Sequence, residues 1–197
     1  HRVQGGRPTA FAVIHPELSN FPNQNLSGAG VALMLVRALE KGQVWKGIDE
    51  DIVLATLGTI GDVMPLTGEN RTLVIHGLKA ISRLPEGPLK DLISSARSNG
   101  SVTSGDIAFR VVPRINAAGR MESPMIALEA LLEGGLALEK LHQLNSDRQS
   151  LVQDLQEELS STIDLTQSFL CLGDSRITPG IAGLIAGKMT ETHGRPS

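Results

Sequence analysis

Aromatic residues and cysteine are scarce in this sequence. Its 197 residues include four Phe, one Trp and no Tyr, so the core must be built from Leu, Ile, Val and Ala. The one cysteine, Cys171, excludes an internal disulfide and argues against a cysteine-rich zinc site, so we expect a small buried residue there. No apolar run could span a membrane and no signal-peptide pattern opens the chain. We therefore expect a cytoplasmic protein with no membrane partner.

A strong excess of charge of one sign is also missing. The formal net charge is −3, with 41% hydrophobic and 20% charged residues, which is typical of a folded domain. Charge alone does not indicate a nucleic-acid partner, so such a contact would need a local basic cluster. The chain begins at His1 and ends at Ser197 directly after a helical pattern, and we expect it to be a fragment of a longer protein.

Hydrophobic periodicity predicts a helix-rich α/β chain. Short apolar runs predict strands over Thr9–Ile14 and Ser168–Leu172, and polar or Gly-containing stretches predict loops over Gly58–Arg71 and Pro113–Arg120. The predicted helices are Val31–Leu39 with Ser27 as its N-cap, Asp49–Leu57, Leu73–Leu84, Pro88–Ala96, Val102–Phe109 with Thr103 or Ser104 as its cap, Pro124–Leu132, the long polar Leu136–Ile163, and Ile181–Thr192.

A single carboxylate stands out in the loop GTIGDVMPLTGENR. Asp62 lies between small and apolar residues, where a charge needs a partner or a metal if it is buried. Oxygen ligands of this kind suit Mg²⁺ and Mn²⁺. The alternative is that Asp62 caps a turn, and one Asp alone does not specify a metal site.

The segment Arg110–Arg120, RVVPRINAAGR, holds three Arg and no acidic residue. The planar guanidinium group matches phosphate oxygens, and the Asn116 amide could contact phosphate, sugar or base. The alternative is a surface loop with solvated Arg side chains.

Two further features are more ambiguous. The glycines of LSGAGVA (Leu26–Ala32) could expose backbone N–H groups to an anion at a helix start, or could allow close helix packing. His1 could be the last residue of an affinity tag. The other four histidines show no metal spacing.

Taken in order, these segments resemble the RecJ family of the DHH phosphoesterase superfamily. The resemblance rests on HR…RPTAFAVIHPEL, LSGAGVALMLVRAL, DIVLATLGTIGDVMPLTGENRTLVIHGL, DIAFRVVPRINAAGRMESP, LHQLNSDRQ and TPGIAGLIAGKMTETHGRP. It implies the back half of a DHH catalytic domain (1–135), a connector helix (136–164) and the start of a second α/β domain (165–197). The earlier DHH motifs are absent, and Thr178 stands where the family usually has the His of His-Pro-Gly.

The resemblance also implies residue roles. Asp62 matches a late metal ligand of a two-metal Mn²⁺ or Mg²⁺ site, and His1 matches the last His of the D-H-H triplet, so both are expected at the catalytic metals. The residues expected to grip a DNA strand are Arg114, Asn116, Arg120, Ser27, Gly28 and Gly30.

The activity that the resemblance implies is 5′→3′ hydrolysis of single-stranded DNA by the full-length protein in recombination and repair. Single-stranded-DNA-binding protein and a helicase are expected as partners. We expect the 197-residue chain alone to be inactive, because most metal ligands are absent from it. The alternatives are a relative that hydrolyses oligonucleotides or cyclic dinucleotides, and a non-catalytic replication scaffold.

Overall fold

The computed structural model describes residues 29–30, 32–33, 48–96 and 100–197. The predicted strand Thr9–Ile14 and most of the predicted helix Val31–Leu39 lie outside these ranges, although residues 29–30 and 32–33 are helical. Contacts divide the chain into two compact units, His1–Leu84 and Pro85–Ser197.

In the first unit, helix α1 (Ile48–Gly61) packs against helix α2 (Gly68–Ala80), which ends in a 3-10 turn at Ile81–Arg83. The two helices approach closely because Gly77 has no side chain. A Cβ atom at this position would lie 1.8 Å from Oγ1 of Thr56. The prediction of a helix over Asp49–Leu57 is confirmed, and the helix continues four residues further, to Gly61.

The second unit consists, in its described residues, of successive helices. They are α3 (Pro88–Ala96), α4 (Ser104–Asp106), a π-helical turn (Ile107–Val111), α5 (Val112–Met121), α6 (Pro124–Glu133), α7 (Gly135–Ser160) and α8 (Pro179–His193). Thr103 caps α4 in a capping box with Asp106, and the Ser123 hydroxyl accepts a hydrogen bond from the backbone of Met125 at the start of α6. The predicted helix Pro88–Ala96 is confirmed at both ends.

Helix α7 is the central element of the second unit, because α5, α6 and α8 all pack against it. Its C-terminal half contributes to a hydrophobic core together with α8 and the segment before it: Val152, Leu155, Leu159, Leu170, Ile181, Ile185 and Met189. The predicted long helix over Leu136–Ile163 is confirmed, shifted slightly toward the N-terminus. Its role as a connector, with domain limits after residues 135 and 164, stays a prediction.

The helix-rich fold class is confirmed, but two local predictions in the last third of the chain are wrong. The described residues contain no β-strand, and Ser168–Leu172 is irregular. Leu170 is buried and its backbone N–H donates to the carbonyl oxygen of Pro196, so an apolar anchor rather than a strand ladder explains the short apolar run. Cys171 is exposed rather than buried. None of the described helices combines the length and the apolar character that a membrane span requires.

The prediction of an irregular segment over Pro113–Arg120 is also wrong, since these residues belong to α5. Pro113 is the second residue of α5, but the residues before it are also helical from Ser104 onward, so its missing N–H removes a hydrogen bond to the turn before it. The preceding π-helical turn widens the helix at the place where the proline ring would otherwise clash with a carbonyl one turn back. Proline therefore lies inside a continuous helical run here instead of breaking it into a loop.

Candidate metal ligand and nucleic-acid interface

Asp62 directly follows the C-terminal end of α1 in the first unit. Its backbone N–H donates to the carbonyl oxygen of Gly58 at 2.9 Å, while its side chain is exposed and has no hydrogen-bond partner among the described residues. The predicted loop around it is shorter than expected and covers only residues 62–67. Buried Asn70 fixes this loop, because its Nδ2 donates to the carbonyl oxygen of Pro65 at 3.1 Å. The Asp62 carboxylate is thus held on a defined backbone with its oxygens available.

The backbone next to Asp62 is strained. Val63 has φ 53°, a left-handed conformation that a β-branched residue rarely adopts. The N–H groups of Val63 and Met64 donate to the carbonyl oxygens of Ile60 and Thr59, which is the hydrogen-bond pattern of a Schellman helix end. A carboxylate at this end also meets the negative pole of the helix dipole. Both features oppose stability, and both favour a bound cation or a functional constraint at this position.

The predicted DNA-contacting residues Arg114, Asn116 and Arg120 all lie on α5 in the second unit. Asn116 is exposed and has no hydrogen-bond partner among the described residues. Arg114 and Arg120 are half-buried. Nη2 of Arg114 donates to the carbonyl oxygen of Ser95 at 3.4 Å, and Nη1 of Arg120 donates to that of Gly180 at 3.0 Å.

Carboxylates are scarce around these arginines. Arg110 lies 3.8 Å from Asp106 across one helical turn, and Glu122 is occupied by Lys140 at 2.7 Å. Arg148 on α7 is a third arginine of this kind. Among the described residues, no carboxylate forms an ion pair with Arg114, Arg120 or Arg148. A group of half-buried cations without counter-charge is a surface that favours anions.

Helix α7 adds two residues that sequence reasoning did not select, the imidazole of His142 and the guanidinium of Arg148. In the described part of the chain, the buried side-chain nitrogen or oxygen atoms that lack a hydrogen bond are Nη1 of Arg114, Nδ1 of His142 and Nε of Arg148. All of them lie on α5 or α7, which pack against each other. Buried polar atoms of this kind are uncommon and call for an explanation.

Burial and neighbouring positive charges lower the pKa of three residues on α5 and α7. Burial, followed by the charge of Arg110, lowers the pKa of the Arg114 guanidinium. Burial, followed by the charge of Arg114, lowers the pKa of the His142 imidazole. Burial, followed by the charge of Arg120, lowers the pKa of the Arg148 guanidinium. The same neighbours that repel one another would attract a common anion.

The remaining predicted site residues are placed as follows. Gly30 is helical and buried in the first unit, while Ser27, Gly28 and His1 lie outside the described residues. A Cβ atom at Gly58 would lie 2.7 Å from Cβ of Ala29, so the helix containing Gly30 packs closely on α1. This contact agrees with the close-packing alternative for the glycine-rich segment. In the described residues, no three His, Cys, Asp or Glu side chains lie together as a metal site.

No protein-family model matches the sequence. Curated proteins named single-stranded-DNA-specific exonuclease RecJ match it along nearly all of its length. The chain is 34% identical to the Thermus thermophilus protein over 201 residues, covering 100% of this chain and 30% of that protein. It is 32% identical to the Bacillus subtilis protein, covering 96% and 25%, and 31% identical to the Escherichia coli protein, covering 100% and 39%. The chain therefore spans about a quarter to two fifths of the length of these relatives.

Solved RecJ structures also match this chain over most of its length. A crystal structure of exonuclease RecJ bound to manganese aligns with a TM-score of 0.79 at 34% identity, covering 97% of this chain and 50% of that one. A Thermus thermophilus RecJ structure in complex with Mg²⁺ also gives a TM-score of 0.79 at 34% identity, covering 92% and 30%. With sequence and fold similarity extending over almost every residue, this chain belongs to the RecJ family.

Proposed function

We propose that the full-length protein carrying this chain is a metal-dependent 5′→3′ exonuclease that hydrolyses single-stranded DNA. The observation that carries the proposal is the similarity to RecJ exonucleases over the whole chain, including the segments that contain Asp62 and Arg120. The unpaired cations of α5 support it, because a DNA strand supplies the anionic groups that they lack.

Asp62 fits a role as one ligand of a Mn²⁺ or Mg²⁺ ion. Its carboxylate is exposed, has no competing partner among the described residues and stands at the negative end of α1, where a cation is favoured. One carboxylate is not a complete site, so further ligands must come from outside the described residues, and His1 is proposed as one of the groups at the metals. Two bound cations would supply hydroxide from water and stabilise the leaving oxygen of the phosphodiester.

In the proposed reaction, the residues of α5 bind and orient the DNA strand. Arg114 and Arg120 would contact phosphate oxygens, and the exposed Asn116 amide would contact phosphate, sugar or base. Ser27, Gly28 and Gly30 are proposed as further residues that contact the DNA strand. A strand held by guanidinium groups loses affinity as salt rises.

The metal assignment is tested in the full-length protein by Asp62→Asn, with Glu50→Gln on the same helix as the matched control. Release of nucleotides from 5′-labelled single-stranded DNA is measured with Mn²⁺. We expect Asp62→Asn to lower the turnover rate at least about a hundredfold, without loss of DNA binding in EDTA. Glu50 is exposed and should tolerate the change. Equal turnover by both variants would refute the role of Asp62.

Substrate length separates this function from a relative that acts on short oligonucleotides or cyclic dinucleotides. A RecJ-type exonuclease should turn over long single strands faster than dinucleotides under the same conditions. Single-stranded-DNA-binding protein and a helicase are proposed as partners of the cytoplasmic full-length protein, and co-purification at low salt would test them. A non-catalytic scaffold would show no metal-dependent turnover on any length.

A further inference from the structure

Two polar residues interrupt the buried stripe of α7. Its buried residues follow the alternating three- and four-residue spacing of a helix face that packs on neighbouring helices: Leu141, Asn145, Val152, Leu155 and Leu159. Arg148, which is half-buried, takes the place between Asn145 and Val152 in the same spacing. Apolar residues there would bury more surface at no desolvation cost, so the polar pair needs another reason to be present.

Asn145 holds Arg148 without neutralising it. Oδ1 of Asn145 accepts a hydrogen bond from Nη2 of Arg148 at 3.0 Å, across one helical turn. An aspartate at this position would make the same contact and cancel the charge of the arginine. The neutral amide fixes the direction of the guanidinium group and leaves its full positive charge available.

Arg148 is affected by a second cation and forms no ion pair with an acidic residue in the part of the chain that the structure describes. Besides burial, the positive charge of Arg120 on α5 lowers the pKa of the Arg148 guanidinium on the adjacent helix α7. Neither arginine forms an ion pair among the described residues. Nε of Arg148 is buried and has no hydrogen-bond acceptor among the described residues. Two like charges on packed helices, neither of them paired with a carboxylate among the described residues, favour an anion beside them.

We infer that Arg148 binds a phosphate group of the DNA strand together with Arg120, and that Asn145 is the positioning residue that directs Arg148. This inference rests on the proposed function for the identity of the ligand. The bidentate geometry of guanidinium groups suits one phosphate held by two arginines.

The experiment compares Arg148→Gln, Asn145→Asp and the control Lys79→Gln in the full-length protein. Lys79 is exposed on α2 in the first unit and forms no ion pair among the described residues. Affinity for a labelled, 5′-phosphorylated oligothymidylate is measured by fluorescence anisotropy in EDTA over a range of salt concentrations. Thermal unfolding is followed for every variant, with and without inorganic phosphate at matched ionic strength.

We expect Arg148→Gln and Asn145→Asp each to weaken DNA binding about tenfold and to lower the salt-dependence slope by about one. Asn145→Asp should do so without lowering the unfolding temperature, because the new carboxylate pairs with Arg148. A residue with a purely structural role would not show this combination. Wild-type affinity and salt slope in Asn145→Asp, or a loss in Arg148→Gln that matches the fraction of unfolded protein, would overturn the inference.

The phosphate arm separates this inference from the proposed function. If the wild type is stabilised by phosphate and both variants are not, while none binds DNA, the anion site stands and the DNA-based function fails. If the wild type degrades DNA and both variants bind it equally well, the function stands and the role of Arg148 fails.

Discussion

Replacing Val63 with glycine is expected to stabilise the first unit. Val63 has φ 53°, and its side chain is 87% exposed, so its removal gives up almost no packing. The left-handed conformation costs a residue with a Cβ atom about 1–2 kcal/mol. Glycine adopts it freely but loses about 0.5–1 kcal/mol through the greater freedom of its unfolded chain. The net gain in the free energy of unfolding should be about 0.5–1 kcal/mol.

The assay is urea denaturation of the purified chain, followed by circular dichroism, with thermal unfolding as a second measurement. A gain of this size raises the unfolding temperature by about 1–4 °C. The reciprocal control is Gly194→Val at the end of α8. Gly194 has φ 65° and ψ 24°, and a Cβ atom there would meet no other atom within 4 Å. Gly194→Val should lower the free energy of unfolding by about the amount that Val63→Gly raises it. The reasoning is refuted if Val63→Gly is neutral or destabilising while Gly194→Val behaves as stated.

Three other predictions follow from contacts in the two units. Gly77→Ala should destabilise the first unit by about 1–3 kcal/mol through overpacking, because its Cβ atom would overlap Oγ1 of Thr56, whereas Gly183→Ala on α8 has open space and should be neutral or stabilising in the same denaturation assay. The lowered pKa of His142 means that the folded state resists protonation of its imidazole. The free energy of unfolding should therefore be retained above the ordinary pKa of 6.5 and fall as the pH drops below it. Urea titrations across this pH range should show a smaller loss of this free energy in His142→Gln than in the wild type. Arg120→Ala should weaken DNA binding in the full-length protein while the fold persists, and unchanged affinity at matched salt would contradict its role.

Much of the helical pattern was predictable because the signals are local. Pro88–Ala96 starts with proline after a glycine, and Thr103 and Asp106 form a capping box within four residues. Pro113–Arg120 was mispredicted because proline and glycine usually break helices, and the effect of a π-helical turn on a following proline is not visible in a sequence window. Tertiary packing of α5 on α7 then decides in favour of the helix.

The candidate site was only partly predictable. Asp62 and the arginines of α5 were found through their resemblance to family segments. His142 and Arg148 were missed because they lie on a second helix, α7, which packs on α5 only in the folded chain. A signal for Arg148 does exist in the sequence. Its neighbours at three and four residues on either side are Leu144, Asn145, Leu151 and Val152, none of them acidic, which places an arginine on the apolar stripe of an otherwise polar helix. The strained conformation at Val63 has no such signal, since its cause lies in the end of α1.

Because of the π-helical turn at Ile107–Val111, the number of residues in this stretch should be more constrained than their identities. Each residue of an α-helix advances the chain by about 100° around the axis. Deleting any one residue of the turn would therefore rotate everything after it by more than a quarter of a revolution, and would swing the guanidinium groups of α5 off the face that they share with α7. Related sequences should therefore differ in the side chains of this stretch but contain few insertions or deletions in it. The rotational position of α5 around its axis would then be kept even where the residues differ.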